Sequence, residues 1–106
     1  MTDFIELFLT CKDQVEADEI AQALLDQHLV TCVKFESVHS KFRWKGKLDE
    51  ADEVKLSMLS IAANFEQVEA EVARLHSYET FVLQATTISH LSKAAAKWLS
   101  QNTRGL

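Results

Sequence analysis

Cys11, His76 and Glu79 are the residues of this chain whose types could together hold a transition metal. Thiolate sulfur and imidazole nitrogen are the ligands that copper and other soft or borderline cations prefer, and a carboxylate oxygen can complete the set. Glu53 is a second candidate for that carboxylate. These residues are far apart in the sequence, so a metal site requires a fold that brings the segment around residue 11 to the segment around residue 76.

Each of these residues also has an ordinary structural explanation. A single cysteine at the end of a strand is most often a small buried hydrophobe, and a histidine at the end of a helix favours the helix dipole. The acidic run over residues 49–53 is typical of a solvated charge cluster. No role is predicted for the remaining histidines, which have no neighbour at ligand spacing: His28, His39 and His90.

The first half of the chain predicts a strand, a helix and a long second strand. Residues 4–10 are short, apolar and β-prone, which is typical of an interior strand. Asp13 followed by Glu16 resembles a capping box and predicts the start of an amphipathic helix. Residues 29–44 predict a second strand, with a bend or bulge around residues 36–40.

A tight hairpin turn is predicted at Lys45-Gly46, which lies between two segments of alternating apolar and polar residues. Glycine adopts positive φ readily, as such a turn requires. The third strand is predicted over about residues 53–61. Asn64 with Gln67 three residues later then predicts a capped second helix, which carries an apolar stripe.

The last part of the chain predicts a fourth strand and a short helix. Residues 80–88 are apolar and β-prone. Ser89 or Ser92 is expected to cap the final helix. The tail from Gln101 is expected to be frayed.

This order of elements predicts a ferredoxin-like α+β sandwich, β-α-β-β-α-β with a C-terminal helix and a long central hairpin. The sheet order should be 4-1-3-2, with the helices on one face. The end of the first strand and the starts of the third and fourth then share one pole, where Cys11 and His76 should meet. Cys32 belongs at the opposite pole. The outer edge of the hairpin stays unpaired and predicts contact with another chain.

The same pole suggests a ligand cleft as a second kind of site. The hairpin turn is expected to bring Trp44, Lys47 and Glu53 there, beside Tyr78. Packing is the commoner explanation for two such aromatic residues, and solubility is the commoner explanation for the lysine. These four residues are therefore candidates for lining a cleft that binds a small molecule or a protein.

Composition limits the class of protein. With 106 residues, 47% of them hydrophobic, the chain is expected to form a single domain over residues 1–106. A net charge of -5 argues against a nucleic-acid or anionic-membrane surface, because both need a basic footprint. Two cysteines without a C-x-x-C motif favour a reducing cytoplasm. The N-terminus lacks a basic segment and no apolar run is long enough for a membrane span, so neither a signal peptide nor a span is expected.

Other functions of the same fold need features that this chain lacks. Heavy-metal transport domains need a C-x-x-C loop after the first strand. Acylphosphatases need a phosphate-binding loop with glycine and arginine there. RNA-binding versions need exposed aromatic residues on the third strand and a basic surface. A cysteine-nucleophile enzyme would need a base and an orienting group, and Cys11 with His76 supplies at most a pair. An enzyme is therefore not expected.

With these residues in view, the chain resembles the CutA family, which is named for divalent-cation tolerance. The resemblance runs from the first strand to about Trp98. It rests on three segments, of which the second is the most specific: L-V-T-C-V at 29–33, S-K-F-R-W-K-G-K-L-D-E-A-D-E-V at 40–54 and L-H-S-Y-E-T at 75–80.

The chain also departs from the family pattern at the third segment and in the first strand. Ser77 and Phe81 stand where the family usually has prolines, and Val82 stands where it has an acid. In the first strand, Leu9 stands where some members carry a cysteine, and Cys11 follows two positions later.

The resemblance implies a compact, non-enzymatic homotrimer in which long hairpin strands pair with the neighbouring subunit. It also implies a link to copper or another divalent cation. The architecture is similar to that of the PII signalling trimers, which bind small effectors between subunits. Two hypotheses therefore stand side by side. One is a metal-linked trimer that uses the pole of Cys11, His76 and Glu79. The other is a trimeric signalling or scaffold protein that binds a small molecule or a protein partner without metal.

Overall fold

The computed structural model of the chain describes residues 3–105 and contains one four-stranded antiparallel sheet. The strand order is β2-β3-β1-β4. The elements, in chain order, are β1 (Phe4–Cys11), α1 (Gln14–Asp26), β2 (Cys32–Trp44), β3 (Lys47–Ile61), a 3-10 turn (Ala62–Asn64), α2 (Phe65–Leu75), β4 (Leu83–Thr87) and α3 (Lys93–Asn102). This arrangement is α+β, and it confirms the predicted ferredoxin-like order of elements and of strands.

The core lies between the sheet and the two central helices because β1 alternates strictly between buried and half-buried residues. Leu7 and Leu9 point into the core and pair in register with Met58 and Leu56 of β3. The buried faces of the helices complete this core, and their members are Ala17, Ile20, Leu24, Val68 and Val72. The apolar residues repeat every two positions in the strands and about every 3.6 positions in the helices. The apolar faces that result pack against each other in one layer.

The central hairpin is longer and more regular than the sequence pattern predicts. β2 pairs with β3 without a break from Cys32 opposite Leu59 to Trp44 opposite Lys47, so the bend or bulge predicted at 36–40 is wrong. β3 begins at Lys47, not near residue 53. The acidic run 49–53 has low strand propensity, but its backbone pairs fully with β2, and that pairing determines the structure.

A two-residue turn closes the hairpin, as predicted. Lys45 and Gly46 have φ of 52° and 78°. Two successive positive φ values characterise the turn that matches the right-handed twist of paired strands. Because the turn is so tight, every residue from Lys47 onward belongs to the strand.

The tail is anchored at Thr103 and Arg104, so the fraying predicted from Gln101 is wrong for the described residues, and Leu106 lies outside them. The backbone N–H of Arg104 donates to the carbonyl of His28 at 2.8 Å, and Thr103 is buried. Asn64 donates its side-chain N–H to the carbonyl of Arg104 at 2.9 Å and makes no helix-capping bond. Gln67 accepts from the guanidinium of Arg104 at 2.6 Å. The predicted capping box at the start of α2 is therefore wrong, because both side chains bind the tail.

The other helix starts agree with the predictions. Asp13 caps α1 by accepting from the backbone N–H of Glu16 at 2.9 Å. Ser92, the second of the two predicted candidates, caps α3. β4 is shorter than predicted. Among residues 3–105, none of the helices combines the length and the apolar character that crossing a bilayer requires.

Candidate functional site

Cys11 is the last residue of β1 and pairs with Val54 of β3. Its side chain is fully buried on the core face. The chain then turns at Lys12 and enters α1 behind Asp13. The thiol therefore lies directly beneath the N-terminal turn of α1, at the pole that the topology predicts.

His76 follows α2 immediately, and both of its ring nitrogens make hydrogen bonds. Nε2 lies 2.8 Å from the carbonyl oxygen of Thr10 and donates to it. Nδ1 accepts from the backbone N–H of Tyr78 at 3.0 Å. A carbonyl on one nitrogen and an N–H on the other fix the neutral ring with its proton on Nε2.

Glu16 is the third member of this group, and its carboxylate is almost fully buried, with 6% of the side chain exposed. Oε2 accepts from the backbone N–H of Ser77 at 3.0 Å, and Oε1 accepts from that of Lys12 at 3.3 Å. Nδ1 of His76 lies 3.5 Å from Oε1. Burial opposes ionisation, but the bonds from Ser77 and Lys12 outweigh it and hold the pKa of Glu16 below its usual value. The carboxylate thus ties the start of α1 to the segment after α2.

We call Cys11, Glu16 and His76 the pole cluster, because one ligand atom of each lies within 4.8 Å of the others. The predicted meeting of Cys11 and His76 is confirmed. Glu79 is exposed and is not part of the cluster, so Glu16 holds the position expected of that carboxylate. The sequence did offer a signal for Glu16. An acid in the first turn of the helix that follows Cys11 must lie near the same pole.

The pole cluster offers the donor types of a metal site, yet His76 and Glu16 already bind other partners through both ring nitrogens and both carboxylate oxygens. Burial, together with the neighbouring carboxylates, Glu16 first among them, raises the pKa of the Cys11 thiol to about 12. A cation would have to displace the thiol proton, and it would have to displace the Tyr78 N–H from His76. Leaving a buried N–H unpaired costs about 1–3 kcal/mol. Among the described residues, no buried side-chain polar atom lacks a partner. The pole cluster therefore does not fit a divalent cation without losing its own bonds.

Tyr78 and Glu53 form a second pair beside the pole cluster. The tyrosine hydroxyl donates to Oε2 of Glu53 at 2.8 Å. Burial, together with the bond to the Glu53 carboxylate, raises the pKa of Tyr78 to about 12. The imidazole of His76 packs against the ring of Tyr78, with centroids 4.9 Å apart, and stacks on Phe81 at 5.4 Å. Phe81, which stands in place of a family proline, thus supports the histidine ring.

Trp44 and Lys47 face each other at the tip of the hairpin, away from this pair. Trp44 is opposite Lys47 in the β2–β3 register, whereas Glu53 is opposite Val38. Lys47 precedes Glu53 by six residues, and a strand rises about 3.4 Å per residue. Lys47 therefore lies about 20 Å along β3 from Glu53. Within one subunit the four residues proposed for a ligand cleft form two separate pairs.

A groove of about 530 Å³ runs between the hairpin and the start of α1. Its lining residues are Lys12, Asp13, Ser37, Val38, His39, Asp52, Glu53 and Val54. Of the predicted cleft residues, only Glu53 lines this groove. Its walls combine acidic and basic side chains, and it is open along its length.

Comparisons with known proteins identify the family and the fold. Residues 5–102 match the model of the family described as CutA1 divalent ion tolerance protein. A divalent-cation tolerance protein CutA from Archaeoglobus fulgidus is 30% identical over 95 residues, which is 90% of this chain and 93% of that protein.

Solved structures show the same fold. The structure of an Archaeoglobus fulgidus CutA, described as a periplasmic divalent cation tolerance protein, superposes with a TM-score of 0.89 at 31% identity and covers 96% of this chain and 98% of its own. CutA1 from Oryza sativa superposes with a TM-score of 0.94 at 20% identity, covering 98% of this chain and 96% of its own. Because the family model spans nearly the whole chain, including β1, the hairpin and the segment after α2, this protein belongs to the CutA1 family of divalent ion tolerance proteins.

Proposed function

We propose that the chain forms a non-enzymatic, PII-like homotrimer that serves divalent-cation tolerance. The observation that supports this proposal best is the outer edge of β2. β2 is one of the two edge strands of the sheet, and within residues 3–105 its 13 residues pair with β3 alone. An edge of that length with no partner is a template for pairing with another chain.

The part of the hairpin between Val54 and the turn also needs a partner for its stability. β1 pairs with β3 only as far as Val54, so the hairpin beyond that level is a two-stranded ribbon. An isolated two-stranded ribbon is marginally stable in water. Its large apolar side chains are exposed, namely Phe42, Trp44 and Leu48. A second copy of the same hairpin would cover them, and the trimeric number is what the family resemblance implies.

The face of the sheet opposite the helices supports the same proposal. Phe4, Phe8 and Leu59 lie there, and each is half-buried in one subunit. The ammonium group of Lys55 lies 4.7 Å from the centre of the Phe8 ring. In a trimer whose three sheets face an interior, these residues would pack against their counterparts.

The trimer can be tested by placing charge on the hairpin. The double variant Phe42→Glu, Trp44→Glu is expected to lower the solution mass from trimer to monomer, because six buried carboxylates would repel one another in the assembly. Val15→Glu is the matched control, since Val15 is an exposed apolar residue of α1, 75% accessible. Light scattering after size exclusion measures the mass of all three proteins. A double variant that keeps the wild-type mass would exclude the hairpin from the interface.

A non-enzymatic role is supported by the protonation of the groups at the pole. A nucleophilic cysteine needs thiolate character, whereas Cys11 is buried with a pKa raised to about 12. We expect the native protein to leave Cys11 unmodified by iodoacetamide at pH 7.5, whereas protein unfolded in urea should take up two labels. Mass spectrometry of tryptic peptides measures both. Fast labelling of Cys11 in the native protein would indicate a reactive thiol and would argue for an enzyme.

The proposed cation is copper or another divalent ion, and the intact pole cluster is not its preferred binding place. Calorimetric Cu²⁺ titrations of wild type, Cys11→Ser and His76→Ala test this. We expect similar binding for wild type and Cys11→Ser. Loss of binding in both variants would show that the cation enters the pole cluster, as the sequence pattern had suggested for Cys11 and His76.

The second candidate function is a trimer that binds a small molecule or a protein partner in clefts between subunits, without metal. The groove beside Glu53 favours it, and a neighbouring subunit could bring its own Trp44 and Lys47 to that groove. An intact trimer that binds no divalent cation would favour this function over the first.

We place the protein in the cytoplasm. Both cysteines are free thiols, Cys11 buried and Cys32 half-buried, which suits a reducing compartment. The net charge of -5 argues against binding to nucleic acid or to an anionic membrane.

A further inference from the structure

His39 on β2 lies between two carboxylates of β3, on the same face of the hairpin. Its Nδ1 lies 2.7 Å from Oδ1 of Asp52, which is directly opposite in the register. Its Nε2 lies 2.6 Å from Oε1 of Glu50, the diagonal neighbour. Directly opposite and diagonal positions are the two that bring side chains into contact across paired strands. Both contacts are as short as charge-assisted hydrogen bonds.

The two contacts together need a proton on each ring nitrogen. Neutral imidazole carries one N–H and can donate to one carboxylate only, whereas imidazolium donates from both nitrogens. When the second proton leaves, one nitrogen presents a lone pair to a carboxylate oxygen, and that contact changes from attraction to repulsion. The hydrogen bonds to Asp52, first, and to Glu50 accordingly raise the pKa of His39 above its usual 6.5.

These three side chains lie where the sheet narrows to two strands. β1 pairs with β3 only as far as Val54, and Asp52 lies two residues beyond that level on the same face of β3. From there to the turn, the described residues of β3 pair with β2 alone. A two-stranded ribbon is marginally stable in water, so a side-chain link at this level helps to decide whether the tip stays closed.

Other charged side chains surround His39, and their charges offset one another. They are Lys41 on β2, Glu53 on β3, and Lys12 and Asp13 at the start of α1 across the groove. Two are basic and two are acidic, so Asp52 and Glu50 set the balance of charge at the ring. Histidine is the side-chain type among them that ordinarily changes its charge near neutral pH.

We propose that His39 is a pH-sensitive clamp of the hairpin. As imidazolium it holds Asp52 and Glu50 of β3 against β2 and keeps the ribbon beyond β1 closed. As neutral imidazole it releases one of them, and the ribbon opens locally more often. Phe42 and Trp44, which the proposed trimer would cover, lie on this ribbon, so the trimer should weaken as the pH rises. That last consequence alone rests on the proposed function.

The sign of the pH effect follows from the raised pKa of His39. A group that binds its proton more tightly when folded stabilises the folded form fully below its unfolded pKa, here 6.5. The stabilisation is lost as the pH rises through the higher pKa of the folded form. The hairpin should therefore be held most firmly at mildly acidic pH, while Asp52 and Glu50 are still ionised.

Hydrogen exchange measured by mass spectrometry at pH 5.5 and pH 9 tests the clamp in the full-length protein. After correction for the intrinsic rates, the opening constant of peptides over residues 38–52 should rise roughly three- to tenfold between the two pH values, as two exposed cross-strand charge pairs of ordinary strength would give. Peptides over β1 are the internal reference and should not share this rise. Light scattering at the same two pH values follows the trimer.

Two substitutions at position 39 separate the charge from the side chain. His39→Gln is neutral and His39→Lys is charged at both pH values, so the rise should vanish in both, with faster opening in the glutamine variant. His90→Gln is the matched control and should keep the rise, because His90 is an exposed histidine whose ring contacts Ser89. In an NMR titration of the imidazole resonances, the midpoint of His39 should fall in Asp52→Asn and in Glu50→Gln.

A hairpin that opens equally at both pH values in the wild type would overturn the clamp. So would a rise that persists unchanged in His39→Gln, or a His39 midpoint that neither carboxylate variant moves. A chain that is monomeric at both pH values but keeps the His39-dependent rise would instead remove the proposed trimer and support the clamp.

Discussion

Replacing Glu16 with alanine is expected to lower the free energy of unfolding by about 3 kcal/mol at pH 7. The carboxylate is buried and accepts from the backbone N–H groups of Lys12 and Ser77. Hydrogen bonds to a charged group contribute about 1.5–3 kcal/mol each, and donors left unpaired in a buried place cost a similar amount. Urea unfolding of wild type and variant, at equal protein concentration, measures the difference.

The pH dependence of this effect has a definite sign. The pKa of Glu16 is lowered in the folded state, so its stabilisation is fully present above the usual carboxyl pKa, 4.5, and is lost as the pH falls through the lowered folded value. The difference between wild type and Glu16→Ala should therefore shrink below about pH 4. Glu19→Ala, an exposed acid on the same helix, should change stability by less than about 0.5 kcal/mol. A Glu16 effect as small as that of Glu19 would mean that the carboxylate does not hold the two segments together.

Proline at Leu56 is expected to prevent folding, with a loss of more than about 3 kcal/mol. Leu56 lies in the middle of β3, paired with Leu9 on one side and Phe35 on the other, and its side chain is fully buried. Proline removes a ladder hydrogen bond from a strand that is paired on both edges, and the leucine side chain is lost from the core as well. Circular dichroism and thermal melting measure the outcome.

Two alanine variants separate the contribution of the Leu56 side chain to stability from that of the backbone hydrogen bond. Leu56→Ala keeps the backbone bond and should cost about 2–5 kcal/mol from the lost burial and the cavity. Leu48→Ala, at a side chain that is 72% exposed in one subunit, should cost little in the fold of that subunit. A melting temperature of Leu56→Pro equal to that of wild type would show that β3 is placed wrongly.

The fold could be predicted from the sequence because its elements have strong local patterns. The alternation in β1, the cap at Asp13 and the turn at Lys45-Gly46 each agree with the structure. Errors arose where distant pairing overrides local preference. The acidic start of β3 is a strand because β2 lies beside it. Asn64 has the sequence of a cap, but it binds the C-terminal tail instead.

The candidate site was predictable only in part, for a related reason. Strand directions alone bring Cys11 and His76 to one pole, and the structure confirms this. Glu16 was expected only as the capping-box partner of Asp13, since a local motif cannot show that the backbone N–H of the distant Ser77 needs its carboxylate. Trp44 was expected beside Glu53, since the length of the two-stranded ribbon depends on where β1 ends. The environment of His39 follows from cross-strand register, which the sequence pattern did not determine.

The trimer that we propose depends on the long hairpin, and the solution mass tests it most directly. Light scattering after size exclusion, with and without reducing agent, should give a mass near three times 12.0 kDa in both conditions. The reducing agent should have no effect because both cysteines are free thiols. A stable species of 12.0 kDa would contradict the account, since the edge of β2 and the aromatic residues of the hairpin would then remain open to solvent.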